Sequence, residues 1–237
     1  GKNISVIGAD RETTIIDGNQ AQWVVIIDSD VDSSGLLKSF TIQNGNGGSN
    51  WAGGGIDWSG DAKLNDLIIQ NNVGGYNVGG GVFAMGNGIL KSSILKDYQY
   101  GSDGMSEGAN LFANSQSDDT IRVENCIFPS SYTLGLSGNY AIQQKYGSTN
   151  VKINNCTILG YVAFGNGLLT ITNSIVQNNE NNNFNDNVSI TYSNIQGGWT
   201  GIGNIDTNPL FCNPDSSDYT LAENSPCVGT GEDGANM

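Results

Sequence analysis

One short pattern of apolar and polar positions recurs along the chain. An aliphatic residue is followed by two others, a second inward residue, one other, and a third apolar residue. It occurs at Leu37, Phe40 and Ile42, then at Leu64, Leu67 and Ile69, and again at Leu90, Ser93 and Leu95. Four more copies stand at Val123, Cys126 and Phe128; Ile153, Cys156 and Ile158; Ile171, Ser174 and Val176; and Ile190, Ser193 and Ile195. A further small or apolar residue lies two places before several of them (Ala62, Ile121, Val151, Leu169, Val188). This spacing is not helical. Alternation by two fits short strands, and the single step of three predicts a bend between them. Asp66, Asn125, Asn155 and Asn173 fall at that bend, and Asn and Asp tolerate the left-handed backbone a sharp bend needs. Stacked above one another, they would form a partial Asn ladder.

The copies are 18 to 33 residues apart, so constant strand pairs alternate with loops of variable length. A second apolar strand precedes six of them, at 23–27, 55–58, 81–85, 111–112, 140–143 and 161–164. Three short strands and three turns per repeat, with no helical segment, predict a parallel β-solenoid whose layers rise by ~4.8 Å. Composition agrees. The chain holds 34 Gly in 237 residues, about twice the usual share of about 7 %, which disfavours helices.

Charge narrows the partners. Nine Lys and Arg stand against 23 Asp and Glu, a net charge of −14. Nucleic acid is excluded as a partner and anionic membrane surfaces are disfavoured, because both need a cationic surface. There is no His, which removes Ser-His-Asp and Cys-His nucleophiles and HExxH zinc sites. No apolar stretch approaches the ~18 residues of a membrane span. The chain opens inside a strand-like segment and reads as a mature or excised part of a larger protein.

The C-terminal end adds a motif of Asp206, Pro209, Leu210 and Phe211, then Asp218, Tyr219 and Leu221, then Ser225, Pro226, Cys227, Gly229 and Gly231. With the repeat, it resembles the pectate-lyase-like superfamily of right-handed parallel β-helices. Within it, the chain is similar to secreted or surface bacterial repeat proteins ending in DxxPLF…DYxLxxxSPCxGxG. The runs at Gly53, Gly54, Gly55 and Gly79, Gly80, Gly81 also resemble those of polymorphic outer-membrane proteins. The resemblance implies an all-β fold, a single right-handed parallel β-helix (solenoid) of about eight coils over residues 1–205, with 206–237 as a capping segment of the same domain. It implies a secreted or cell-surface bacterial location. It also implies a disulfide between Cys212 and Cys227, closing a cap loop of ~15 residues. Cys126 and Cys156 share one repeat position in successive copies and read as stacked, buried thiols.

Several residue sets carry candidate chemistry. Asp28, Asp30 and Asp32 before Gly35 fit either a calcium loop or a solvated acidic turn, and calcium is the one cofactor these residues suggest. Asp57 and Asp61, flanked by Trp51 and Trp58, fit either a glycosidase carboxylate pair or a polar strand face. Arg122 and Lys152 each stand one place before the repeat's aliphatic residue, so they are stacked neighbours pointing outward. They fit a lyase's cationic pair or, with Glu124, a surface ion-pair patch. Loop aromatics Trp51, Tyr76, Tyr98, Tyr100, Tyr132, Tyr146 and Trp199 fit a carbohydrate surface or local loop clusters, with Trp51, Trp58, Tyr98 and Tyr100 as the carbohydrate-contact candidates. The function expected is a non-catalytic, adhesin-like exported module that binds a polysaccharide or cell-surface glycan. The alternatives are a polysaccharide lyase or glycoside hydrolase acting on an acidic polysaccharide, and a purely structural spacer.

Overall fold

A computed structural model describes residues 2–48, 53–75, 79–97, 109–115, 117–129, 140–144, 147–177 and 187–237. Over these residues the fold is all-β, with two long sheets and a C-terminal hairpin. Both long sheets are parallel throughout, the arrangement of a parallel β-solenoid. The larger sheet stacks the repeat in strict register. Leu37 pairs with Leu64, Leu64 with Leu90, Leu90 with Val123, Val123 with Ile153, Ile153 with Ile171, and Ile171 with Ile190. All seven predicted copies therefore form one column. The second sheet contains Val25–Ile27, Ile56–Trp58, Val82–Ala84, Ala109–Ala113, Tyr140–Gln144 and Tyr161–Phe164, matching the six predicted second strands. The core is shared between the two sheets, with Trp58, Leu64, Leu111 and Phe128 fully buried.

The predicted bend is present in every repeat. Ser39, Asp66, Ser92, Asn125, Asn155, Asn173 and Tyr192 all have φ between 49° and 62°. Asn or Asp fills four of the seven, because its short polar side chain lowers the penalty of left-handed backbone. The Asn ladder forms in part: Asn155 Nδ2 donates to Asn125 Oδ1 at 2.7 Å, while Asn173 turns to Asn154.

The residue after the bend does a second job. A left-handed residue tilts the peptide planes, so the next N–H can miss the carbonyl of the neighbouring layer. Here a buried side chain accepts it instead. Leu67 N–H donates to Ser93 Oγ at 3.0 Å, Cys126 N–H to Cys156 Sγ at 3.4 Å, Cys156 N–H to Ser174 Oγ at 3.1 Å and Ser174 N–H to Ser193 Oγ at 3.1 Å. Ser93, Ser174 and Ser193 each pass their own proton to the carbonyl two residues back, and Cys126 and Cys156 do the same through sulfur. The two cysteines thus occupy a polar column in serine's role, rather than acting only as small apolar fillers.

The C-terminal end is closed. Phe211–Asn213 and Asp218–Leu221 form an antiparallel hairpin around a 3₁₀ turn, Pro214–Ser216. Cys227 and Met237 are buried against Ile175, with Ile205, Phe211 and Leu221 packed beside them. Glu232 N–H reaches Asn173 Oδ1 at 2.7 Å, tying the segment to a bend of the sheet.

Candidate functional site

The outward face of the larger sheet presents two columns of side chains flanking the inward aliphatic column. One runs Lys38, Asn65, Lys91, Glu124, Asn154, Thr172, Thr191. The other runs Leu36, Lys63, Ile89, Arg122, Lys152, Thr170, Ser189. Five of the protein's nine Lys and Arg residues therefore lie on one sheet face of a chain with net charge −14. From Lys38 to Lys152 they occupy five successive layers, roughly 19 Å at the ordinary strand spacing. Lys63, Lys91, Arg122 and Lys152 are exposed, and Lys38 is half-buried.

Glu124 is the one carboxylate in these columns, and Lys91 holds it at 3.4 Å. Arg122 and Lys152 pair directly across the ladder. Like charges placed opposite one another on a sheet are destabilising, and no ion pair with a described residue offsets either of them. A shallow groove of about 240 Å³ lies on this sheet, lined in part by Leu36, Lys63, Ile89, Lys91 and Glu124. The face is thus cationic, linear and open, with short apolar patches between the charges.

The carboxylate candidates sit on different parts of the fold, Asp57 within a strand and Asp61 after it. Asp57 stands on the outward face of the second sheet, between Ile26 and Phe83. Burial, with the charge of Asp28 adding to it, raises its pKa above the usual aspartate value, against a hydrogen bond from Ser59. Asp61 is occupied at a corner: its carboxylate accepts the Asn87 N–H at 2.9 Å, and Asn87 in turn accepts the Thr120 N–H at 2.8 Å. Through Asn87 it links successive turns. Trp58 is fully buried in the core, not on a sugar-binding surface. A Cβ on Gly88 would come within 1.7 Å of its indole, so glycine there makes room for the ring.

Asp28, Asp30 and Asp32 do not form a cluster of three. Asp32 accepts hydrogen bonds from Ser34 and Asn3, and Asp28 and Asp30 are exposed. Among the described residues no three His, Cys, Asp or Glu side chains converge. Trp199 is half-buried and packs on the main core. Trp51, Tyr76, Tyr98, Tyr100, Tyr132 and Tyr146 lie outside the described residues.

The expected Cys212–Cys227 bridge is not formed. All four cysteines are free thiols, with Cys212 exposed and Cys227 buried. The thiol of Cys227 faces the core, where Asn194 Nδ2 donates to it at 3.1 Å, while Cys212 lies on the hairpin's exposed side. Burial raises the Cys227 pKa.

Three of the five cations on the sheet, Lys38, Lys63 and Lys91, were not among the sequence candidates. They occupy the positions one before and one after the repeat's aliphatic residue, the register that identifies Arg122 and Lys152, so extending that register to every copy would find them. Among the described residues no helix is long and apolar enough to cross a membrane. Comparison with protein-family models, curated proteins and solved structures gives no match.

Proposed function

We propose that this chain is a right-handed parallel β-helix of about eight coils, of the pectate-lyase-like kind, and that it is a non-catalytic module of an exported bacterial protein. Its ligand in this reading is an anionic glycan laid along the outward face of the larger sheet. The observation that carries the reading is the concentration of Lys38, Lys63, Lys91, Arg122 and Lys152 on that face of an otherwise acidic protein. A linear polyanion with one charge per sugar meets one cation per layer, which relieves the repulsion between Arg122 and Lys152. Each exposed contact contributes only about 0.2–1 kcal/mol, so affinity comes from their number and falls with salt.

The lyase alternative rests on the same Arg122–Lys152 pair, and one experiment separates the two readings. Affinity electrophoresis in gels containing polygalacturonate or neutral amylose should retard the protein only in the former. The double variant Arg122→Glu, Lys152→Glu should lose about two- to thirty-fold in affinity, from two contacts at ~0.2–1 kcal/mol each, with unchanged circular dichroism. Equal retardation by both glycans, or an unaffected double variant, would overturn the proposal. A rise in unsaturated-uronate absorbance during incubation would replace it with the lyase reading.

A further inference from the structure

The cations of the larger sheet change column from one layer to the next. Lys38 stands one place after the inward aliphatic residue, Lys63 one place before it, Lys91 after it and Arg122 before it. Lys152 then repeats the side of Arg122. Over the first four of these layers no cation lies opposite another in its own column. Lys38 pairs with Asn65, Lys63 with Leu36 and Ile89, Lys91 with Asn65 and Glu124, and Arg122 with Ile89 on the preceding layer. The two columns are two residues apart along the strand, ~6.6 Å, and each column regains a cation every second layer, ~9.6 Å. Positive charge therefore climbs the stack as a zigzag about a midline.

The positions across the midline reinforce the alternation. Leu36 stands across from Lys38, Asn65 across from Lys63 and Ile89 across from Lys91. Across from Arg122 stands Glu124, the one carboxylate in the two columns. Lys91 shares its charge with Glu124 at 3.4 Å, whereas Lys38, Lys63 and Arg122 form no ion pair with a described residue. In that fourth layer an anion on one edge of a ligand meets the Arg122 guanidinium, and an anion on the other edge meets Glu124. The face thus distinguishes the two edges of whatever lies along it.

A linear polyuronate carries one carboxylate per sugar, and its linkage decides where those carboxylates point. Diequatorial β-1,4 linkage turns each sugar over relative to the last. The chain is then a flat ribbon whose carboxylates alternate between its two edges, and each sugar advances by close to one strand spacing. Diaxial α-1,4 linkage, as in polygalacturonate, winds the chain, and its carboxylates do not keep to alternate edges. Resting on the reading of this face as an anionic-glycan site, we infer that its preferred ligand is a β-1,4-linked polyuronate ribbon lying along the stack over Lys38, Lys63, Lys91 and Arg122. Each carboxylate meets the cation on its own edge. Leu36 and Ile89, both half-buried, offer apolar surface to the sugar rings between the charges.

Anisotropy with end-labelled fluorescein octamers of β-1,4-mannuronate and α-1,4-galacturonate, equal in length and charge, tests this on the whole chain. An octamer without edge alternation forgoes two of the four contacts, so the mannuronate octamer should bind about two- to thirty-fold more tightly. Lys63→Asn combined with Asn65→Lys moves one charge across the midline at constant net charge and should lower that ratio. Lys152→Asn combined with Asn154→Lys extends the alternation to a fifth layer and should raise it. All four positions are exposed or half-buried, circular dichroism verifies folding, and the second exchange keeps the test decisive if the first perturbs the sheet. Octamers that bind equally, or a ratio that neither exchange alters, would overturn the inference and leave the face as a general polyanion site. Failure of both octamers to bind would overturn the reading of the face itself, and the inference with it.

Discussion

Replacing Ser174 by Ala tests the buried Ser/Cys column directly. Ser174 is fully buried; its hydroxyl accepts the Cys156 N–H at 3.1 Å and donates to the Thr172 carbonyl at 2.8 Å. Alanine fits the space but leaves the Cys156 N–H without its acceptor in the core. An orphaned buried donor costs about 1–3 kcal/mol. For a chain of this length each kcal/mol lowers Tm by about 2–4 °C, so the expected drop is roughly 2–12 °C. Ser174→Cys is the informative control, because Cys126 and Cys156 already fill this column and accept N–H through sulfur. It should lose less than half as much as Ser174→Ala. Thermal melts by circular dichroism give the global effect. Amide exchange gives the local one, with protection lost first at Cys156, since layers are stabilised mainly by their neighbours. An alanine variant melting within about 1 °C of the parent, or a cysteine variant equally damaged, would show that the column is a matter of size alone.

Other outcomes follow from the same geometry. Leu67→Asp places a charge where the side chain is 0 % exposed and should abolish cooperative folding by circular dichroism; a soluble variant with unchanged Tm would contradict the inward assignment. Asp57 is held above its usual pKa by burial, so the folded state binds its proton more tightly than the unfolded. Its contribution is full below the ordinary aspartate value of about 4 and is lost as pH rises through the folded value. Asp57→Asn should therefore raise Tm at pH 7 and leave it unchanged at pH 3; equal shifts at both would refute the linkage. Thiol titration of the native protein should modify Cys212 rapidly and the three buried cysteines only after denaturation. A native mass two units light would instead reveal a bridge. Melts in excess calcium and in chelator should coincide, because Asp28, Asp30 and Asp32 do not converge; a calcium-dependent rise in Tm would reverse that conclusion.

The stack was legible because its signal is repeated. Any one copy, such as Leu90, Ser93 and Leu95, is too short to distinguish strand from loop, but seven copies in one register leave few alternatives to stacked parallel strands. The bend was legible where Asn or Asp fills it and hidden at Ser39, Ser92 and Tyr192, whose φ values of 62°, 51° and 49° match the others. Those residues carry no strong left-handed preference. They adopt the bend because the layers on either side already impose it, an override of local preference by tertiary pairing.

Chemistry was harder to read, because proximity in a stack depends on which way each side chain points. Trp58 and Asp57 are adjacent in sequence, yet one is sealed in the core and the other faces outward, so the tryptophan lends nothing to a carboxylate beside it. Cys212 and Cys227 are close along the chain, yet one is in solvent and the other is buried against Asn194. The cationic face was only half seen for the opposite reason. Lys38, Lys63 and Lys91 are far apart in sequence and unremarkable singly, and become one feature only when each is placed in its outward column. In this architecture the charge of a face is decided by residues 25 to 31 positions apart in the chain, while its immediate neighbours in sequence face another way. A net charge of −14 therefore conceals a cationic stripe, and it is the register of the stack that brings the stripe into being.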